Sequence, residues 1–306
     1  MKRVLALYYS QSGDVARVAE SFLLAWHNAA DVEITVRRIE PVRPYPFPWG
    51  NLLRLLSVFP ECHCGGGPGV KPIELPSDQH YDLVIFAYPI WFLSPALPVQ
   101  DFLNSTDATV LRDRPVITIC VSRNMWHSGS QTMKRRLREL GARLLDNIIV
   151  THQGSALATF VSVPRLLLFG KRDRLFGIFP PAQIAESDLD RVKQLGTIVA
   201  AQLPEVTPER TAPLLAGRGA VRIKPLLIIP ERLGFHMYGL VSRWVVAAQQ
   251  LGPWARRVAM WMFLLELLFM VLFVVPLMML GTILLYPLLA PWLRREAENL
   301  AEPSGM

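Results

Sequence analysis

Residues 258–293, VAMWMFLLELLFMVLFVVPLMMLGTILLYPLLAPWL, carry a single charged side chain, Glu266. No other feature narrows the folding options of the chain so far. A core helix of a water-soluble protein keeps a polar stripe toward solvent, and this run has none. Its first half, 258–275, approaches the ~20 apolar residues that a bilayer span needs. Pro276, Gly281, Pro287 and Pro291 interrupt the second half; Arg256 and Arg257 precede the run, and Arg294 and Arg295 close it. Cations at both ends argue against a simple asymmetric span. One kinked span, a shallow hairpin and an in-plane anchor remain as alternatives. We expect a membrane-associating helical segment at 258–293, with a polar tail at 294–306.

Much of the 51% apolar content sits in that run, and the remainder has an ordinary globular composition. The net charge is +7, with arginines clustered at 134–143, 165–174 and 218–257. Beside an apolar tail, this balance fits the anionic cytoplasmic face of a bilayer. It does not point to nucleic acid, for which the chain has no motif and no basic strand interleaved with aromatics. Three cysteines, Cys62, Cys64 and Cys120, cannot all pair within one chain and fit a reducing compartment. Cys62-His63-Cys64 lacks a second ligand pair at zinc spacing, so no metal is expected. The N-terminal apolar run of about six residues is shorter than the ~7–15 of a signal peptide, and reads as a strand.

The period of the pattern then gives the architecture. Residues 3–9 form a compact apolar run, DVARVAESFLLAWHN (14–28) an amphipathic helix, and VEITVRRIE a second strand near 32–39. Strand, helix, strand implies a right-handed crossover. Further strands are expected at 82–89, 115–122 and 147–154. Helices are expected at 130–140, closed by Gly141, and at 186–203, opened by Ser187 and Asp190. Five strands alternating with helices predict an α/β, doubly wound parallel sheet over 1–203. The Pro-, Gly- and aromatic-rich stretch 41–77 and the stretch 155–185 read as insertions, and 204–257 as a basic connector.

YYSQSGDV (8–15) lies where the first strand meets the first helix. A helix start offers unpaired amides and a positive dipole end, the physical requirements of an anion cradle. Ser10 and Ser12 add hydroxyls, Gly13 lets the backbone come close, and no Lys or Arg is present in the loop. Capping by Ser and Gly is the ordinary alternative for such a turn. In a doubly wound sheet the ligand lies beyond the carboxyl ends of the strands. There the loops after the third and fourth strands deliver Trp91 and Trp126. His127 and His152 also fall near strand ends, as acid/base candidates or as solvent-facing loop residues.

The run SQSGDV resembles the phosphate loop of flavodoxin-like proteins, and DLVIFAYPIWFLSPALPVQDFL resembles their third-strand region, over about residues 1–203. The resemblance implies that Ser10, Gln11, Ser12, Gly13, Asp14 and Val15 hold the phosphate of FMN, with Val15 standing where a Thr is common. It implies that Pro89, Ile90, Trp91 and Phe92 flank the isoalloxazine, and that Ser122, Arg123, Asn124 and Trp126 close its other side. More narrowly, YYSQSG, PYPFPW, WFLSP, RNMW and QGSALATF make the chain similar to bacterial dialkylresorcinol condensing enzymes. That likeness implies FMN-dependent oxidation of a lipophilic cyclic ketone or phenol precursor, an aromatization, with His127 as the candidate base. It also implies a ketosynthase of the same pathway as protein partner, and a place on the cytoplasmic face of the bacterial inner membrane. The rivals are a membrane-tethered electron carrier, for which a basic chain is a poor fit, and a flavin-free scaffold.

Overall fold

The computed structural model describes residues 1–26, 31–75, 80–207, 210 and 212–303. The last residues expected in the first helix, 27 and 28, lie outside these, as do 76–77 of the first insertion, 208, 209 and 211 of the connector and 304–306 of the tail.

Strands β1 (Lys2–Tyr8), β2 (Val32–Arg38), β3 (Leu83–Trp91), β5 (Pro115–Ser122) and β6 (Arg143–Thr151) form a parallel sheet in the order β2-β1-β3-β5-β6. A two-residue strand β4 (Ser94–Pro95) pairs antiparallel with the end of β3. The central strands are apolar on both sides because both faces are covered. Alternation sorts their side chains into two cores. Val4, Ala6, Ile85, Ala87, Ile117 and Ile119 face α1 (Asp14–Leu23) and α7 (Glu186–Gln202). Leu5, Leu7, Val84, Phe86 and Cys120 face α4 (Leu97–Asn104) and α5 (His127–Glu139). Helices α1 and α7 touch at Gly196, where an added Cβ would lie 2.0 Å from the Phe22 carbonyl oxygen, so only glycine fits.

Several boundaries differ from expectation. β6 begins at Arg143 rather than 147, since Asp146 and Asn147 are buried and paired instead of marking a turn. Helix α7 begins at Glu186 after an Ala185 cap, so Ser187 and Asp190 lie inside it and cap nothing. Glu186 and Asp188 serve its first turn through the helix dipole instead. The stretch 41–77 contains two short helices, α2 (Leu52–Leu56) and α3 (Phe59–Cys64), and 155–185 contains α6 (Ala156–Phe169).

The region read as a connector contains a helix, α8 (Ile228–Gln250), and the start of α9 (Pro253–Phe269). A five-residue π turn (Met270–Val274) and α10 (Val275–Leu284) continue α9. Pro276 explains the π turn: it has no amide to donate and its ring displaces the carbonyl of Leu272, which loosens the preceding turn. The continuous helix Pro253–Leu284 is long and apolar enough to cross a membrane by length and composition, with 17% of its most apolar window buried. The chain then turns before Pro287 into α11 (Tyr286–Ala301), which absorbs most of the expected polar tail. Its end docks on α5, where the buried Lys134 ammonium donates to the Leu300 carbonyl at 3.0 Å and to that of Glu302. A cation at a helix C-terminus is the favourable polarity.

Candidate functional site

The order of the strands reverses between β1 and β3, and this is where an open α/β sheet places its ligand crevice. The loop Tyr9–Gly13 emerges there. Gly13 takes φ 93°, a left-handed conformation that glycine adopts without strain, and a Cβ at this position would meet nothing within 4 Å. The Ser10 hydroxyl accepts from the Ala16 amide at 3.2 Å. Among the described residues, nothing accepts from the amides of Gln11, Ser12, Gly13, Asp14 and Val15. Five amides without partners at one helix start are the donor set that an anion cradle requires.

The cradle also contains a charge. Asp14 is 3% exposed. Burial by itself would raise its carboxyl, but hydrogen bonds from His152, Arg172 and Ser12 outweigh this and hold it at about 2. Arg172 donates to Asp14 Oδ1 at 2.7 Å and to the Ser12 carbonyl at 2.6 Å. Ser12 Oγ donates to Asp14 Oδ2 at 2.8 Å, and His152 Nε2 lies 3.4 Å from that oxygen. The loop that lacks a cation in sequence thus receives one from the segment after α6. His152 is 9% exposed and not a solvent-facing loop residue; its Nδ1 and backbone amide both address the Ser122 carbonyl. Gln11 is turned away from the cradle, donating to the Pro46 carbonyl at 2.8 Å. Val15 is buried in the core below.

Beside the cradle, PIWFLSP folds into a hairpin. Phe92 (φ 48°) and Leu93 (φ 64°) occupy its two turn positions. Each is a bulky residue in a region that costs it about 1–2 kcal/mol. Packing and one hydrogen bond hold them there: Phe92 meets Phe59 edge-on at 4.9 Å, Leu93 is buried with Met125 and Leu227, and His63 Nε2 donates to the Phe92 carbonyl at 2.7 Å. Burial lowers the His63 imidazole to about 4, which keeps it neutral. Its role is to brace this turn. Trp91 is half-buried and meets Tyr45 (5.1 Å), Tyr9 (5.8 Å) and Trp49 (6.2 Å), all edge-on. Tyr45 and Trp49 come from the insertion after β2, which therefore lies against the ring-side loop. Pro89 and Ile90 are half-buried.

The other loop, after β5, is more closed than its sequence suggests. Trp126 is 1% exposed and belongs to the core under the sheet, so its indole does not face a crevice. Asn124 is spent between Thr159 Oγ1 (3.1 Å) and the Lys224 ammonium. Arg123 lies over the Phe160 ring at 3.4 Å with Nη1 unpartnered, and burial lowers its guanidinium to about 10. His127 is 5% exposed; its Nδ1 lies 2.8 Å from Oε2 of the fully buried Glu231, close enough for an ion pair though out of line for a directed hydrogen bond. Glu231 Oε1 accepts from the Ser128 amide at 2.7 Å. Sequence reasoning found neither Arg172 nor Glu231.

The strand order, with the crevice at its switch point, defines a flavodoxin-like doubly wound sheet. No family model matches the chain. Among solved structures it is similar to a flavoprotein in complex with FMN from Lactobacillus acidophilus, with 20% identity over 49% of this chain and 93% of that one (TM-score 0.37). It is similar to oxidised flavodoxin 1 from Bacillus cereus, with 13% identity over 67% and 99% (TM-score 0.37). An azoreductase from Bacillus anthracis gives 10% identity over 64% and 99% (TM-score 0.36).

Proposed function

We propose that the protein is an FMN-dependent oxidoreductase at a membrane surface, acting on a lipophilic cyclic ketone or phenol precursor. The observation that carries the reading is the set of five unpartnered amides at Gln11–Val15 beside the half-buried Trp91, at the switch point of the sheet. These amides suit a phosphate monoester, and Arg172 offsets the Asp14 carboxylate that would otherwise repel it. The hairpin residues Pro89–Phe92 on one side, with Ser122 and Arg123 on the other, are the walls proposed for the ring; Asn124, spent on Thr159 and Lys224, and the buried Trp126 support them from behind. Bound FMN would supply a two-electron acceptor.

The chain's own residues would orient the substrate, exclude water and hold its proton, with His127 as the proposed base. The apolar helix Pro253–Leu284 and the flanking arginines support a location at the cytoplasmic face of a bacterial inner membrane. A tethered enzyme there meets a membrane-dissolved substrate at high local concentration. Aromatization in dialkylresorcinol formation, with a ketosynthase upstream, is the specific reaction we favour. Purification in detergent and then a visible spectrum tests the reading: flavin absorption, present as isolated or after adding FMN, is the expected outcome. Bleaching of that flavin by a cyclic dione without a reductase separates the enzyme from an electron carrier. A protein that takes up no FMN sinks both.

A further inference from the structure

A cavity of about 380 Å³ lies between α5, α8 and α11, and its lining includes His127, Thr132, Arg135, Ile228, Arg232 and Phe235. One side is polar and charged, with Arg232 paired to Glu296, the other apolar, and the apolar helix Pro253–Leu284 packs against α8. At its edge stands a buried acid–base pair. Glu231 is 0% exposed, and its carboxylate is stabilised at the positive end of α5 by the Ser128 amide. Its second oxygen faces His127 Nδ1 at 2.8 Å. Neither ring nitrogen has a directed hydrogen bond: Nδ1 is out of line with the carboxylate, and Nε2 is buried with no partner near it. A nine-tenths-buried imidazole nitrogen left unpaired in the wall of a cavity carries a desolvation penalty unless a ligand donor meets it. The nearby carboxylate favours, by its charge, the tautomer with the proton on Nδ1, and that tautomer has Nε2 as its acceptor.

We propose that this cavity binds a weakly acidic hydroxyl, a phenol or an enol, carried on an apolar body. Glu231 is the positioning residue that fixes the His127 tautomer, so that Nε2 accepts the hydroxyl proton. The proton moves from oxygen to Nε2, leaving a phenolate or enolate beside an imidazolium that the Glu231 carboxylate stabilises; Arg135 lines the same cavity as a cation, and Arg232 lines it paired with Glu296. Phe235 and Ile228 contact the body of the ligand. The inference takes its ligand class in part from the proposed function, yet its test needs no flavin.

The probe is 4-nitrophenol, whose ionisation is visible, with 4-nitroanisole as its methyl-capped control, titrated into the full chain in detergent without reductant. We expect nitrophenol to bind with an increased phenolate band and nitroanisole not to bind. Glu231→Gln keeps an acceptor for the Ser128 amide but turns an amide donor toward Nδ1. That should abolish the phenolate signal and weaken binding about tenfold. Thr132→Tyr, which fills the cavity and leaves the pair intact, should remove binding altogether. His127→Gln serves where Glu231→Gln fails to fold. Equal binding of nitroanisole, a phenolate signal that survives Glu231→Gln in a folded protein, or binding that survives Thr132→Tyr overturns the proposal. Nitrophenol binding in a protein that takes up no FMN would sink the proposed function alone, and the reverse would sink this inference alone.

Discussion

Two buried histidine–carboxylate pairs stand on this scaffold, and they are built differently. At the cradle, Asp14 faces His152 but also accepts from Arg172 and Ser12, so its charge is met from three directions. Beside the cavity, Glu231 has one backbone amide and the nearby His127, neither of whose ring nitrogens makes a directed hydrogen bond. The first pair is a closed electrostatic network, suited to holding backbone amides in place. The second has unused hydrogen-bonding capacity, which is what a reacting group needs. The difference teaches that burial of a histidine beside an acid is not in itself a sign of chemistry; the number of remaining partners decides.

The largest effect should come from opening the closed network. Arg172→Ala removes the guanidinium on Asp14 and leaves a carboxylate buried with His152 and Ser12. Breaking a buried pair costs about 3–5 kcal/mol, reduced here to about 3 kcal/mol because Arg172 is partly exposed. A urea midpoint should show the loss, and Asp14→Asn combined with Arg172→Ala should recover most of it. An Arg172→Ala protein as stable as wild type would mean that the cradle does not depend on this pair.

A third histidine sharpens the contrast because it pairs with no acid. His63 donates to the Phe92 carbonyl, and burial lowers it to about 4 from its usual 6.5. The folded state resists its protonation, so its contribution is complete above 6.5 and declines as the pH falls toward 4. The loss should be roughly 2 kcal/mol by pH 5. Thermal midpoints measured across that window should fall in wild type and stay flatter in His63→Asn, which cannot titrate. Gly13→Ala should come next at about 1–2 kcal/mol, the cost of a side chain at φ 93°, with open space around it to rule out a clash.

The sheet was legible because its signals are local. The mostly apolar run PVITICVS gave β5 its observed limits, and β1, β2 and β3 fell within two residues of expectation. The hairpin was not legible. A two-residue turn of this kind ordinarily calls for Asn-Gly, and nothing in Phe92-Leu93 reveals that Phe59 and Leu227 will hold them in place. Helix α8 was hidden by Pro230, Gly234 and Gly239, which break its pattern, although its packing against α3 and α9 overrides those propensities. Arg172 and Glu231 were beyond reach for a simpler reason. Arg172 is 158 residues from Asp14 and Glu231 is 103 from Ser128, and no spacing rule links such positions.

The smallest expected effect is the most direct test of what the closed network is for. Asp14→Asn keeps the volume and the hydrogen bond from Ser12 but removes a negative charge from the cradle. If the cradle holds a phosphate, that charge repels the ligand, and Arg172 is divided between the two. The substitution should therefore tighten FMN by about tenfold while leaving riboflavin, which has no phosphate, unchanged. Titration of both flavins by fluorescence quenching gives the comparison. Equal shifts for the two would place the effect on the ring or on the fold. Weaker FMN binding would mean that Asp14 orders the amides more than it repels the phosphate, and that the network beside His152 exists to hold the loop in shape.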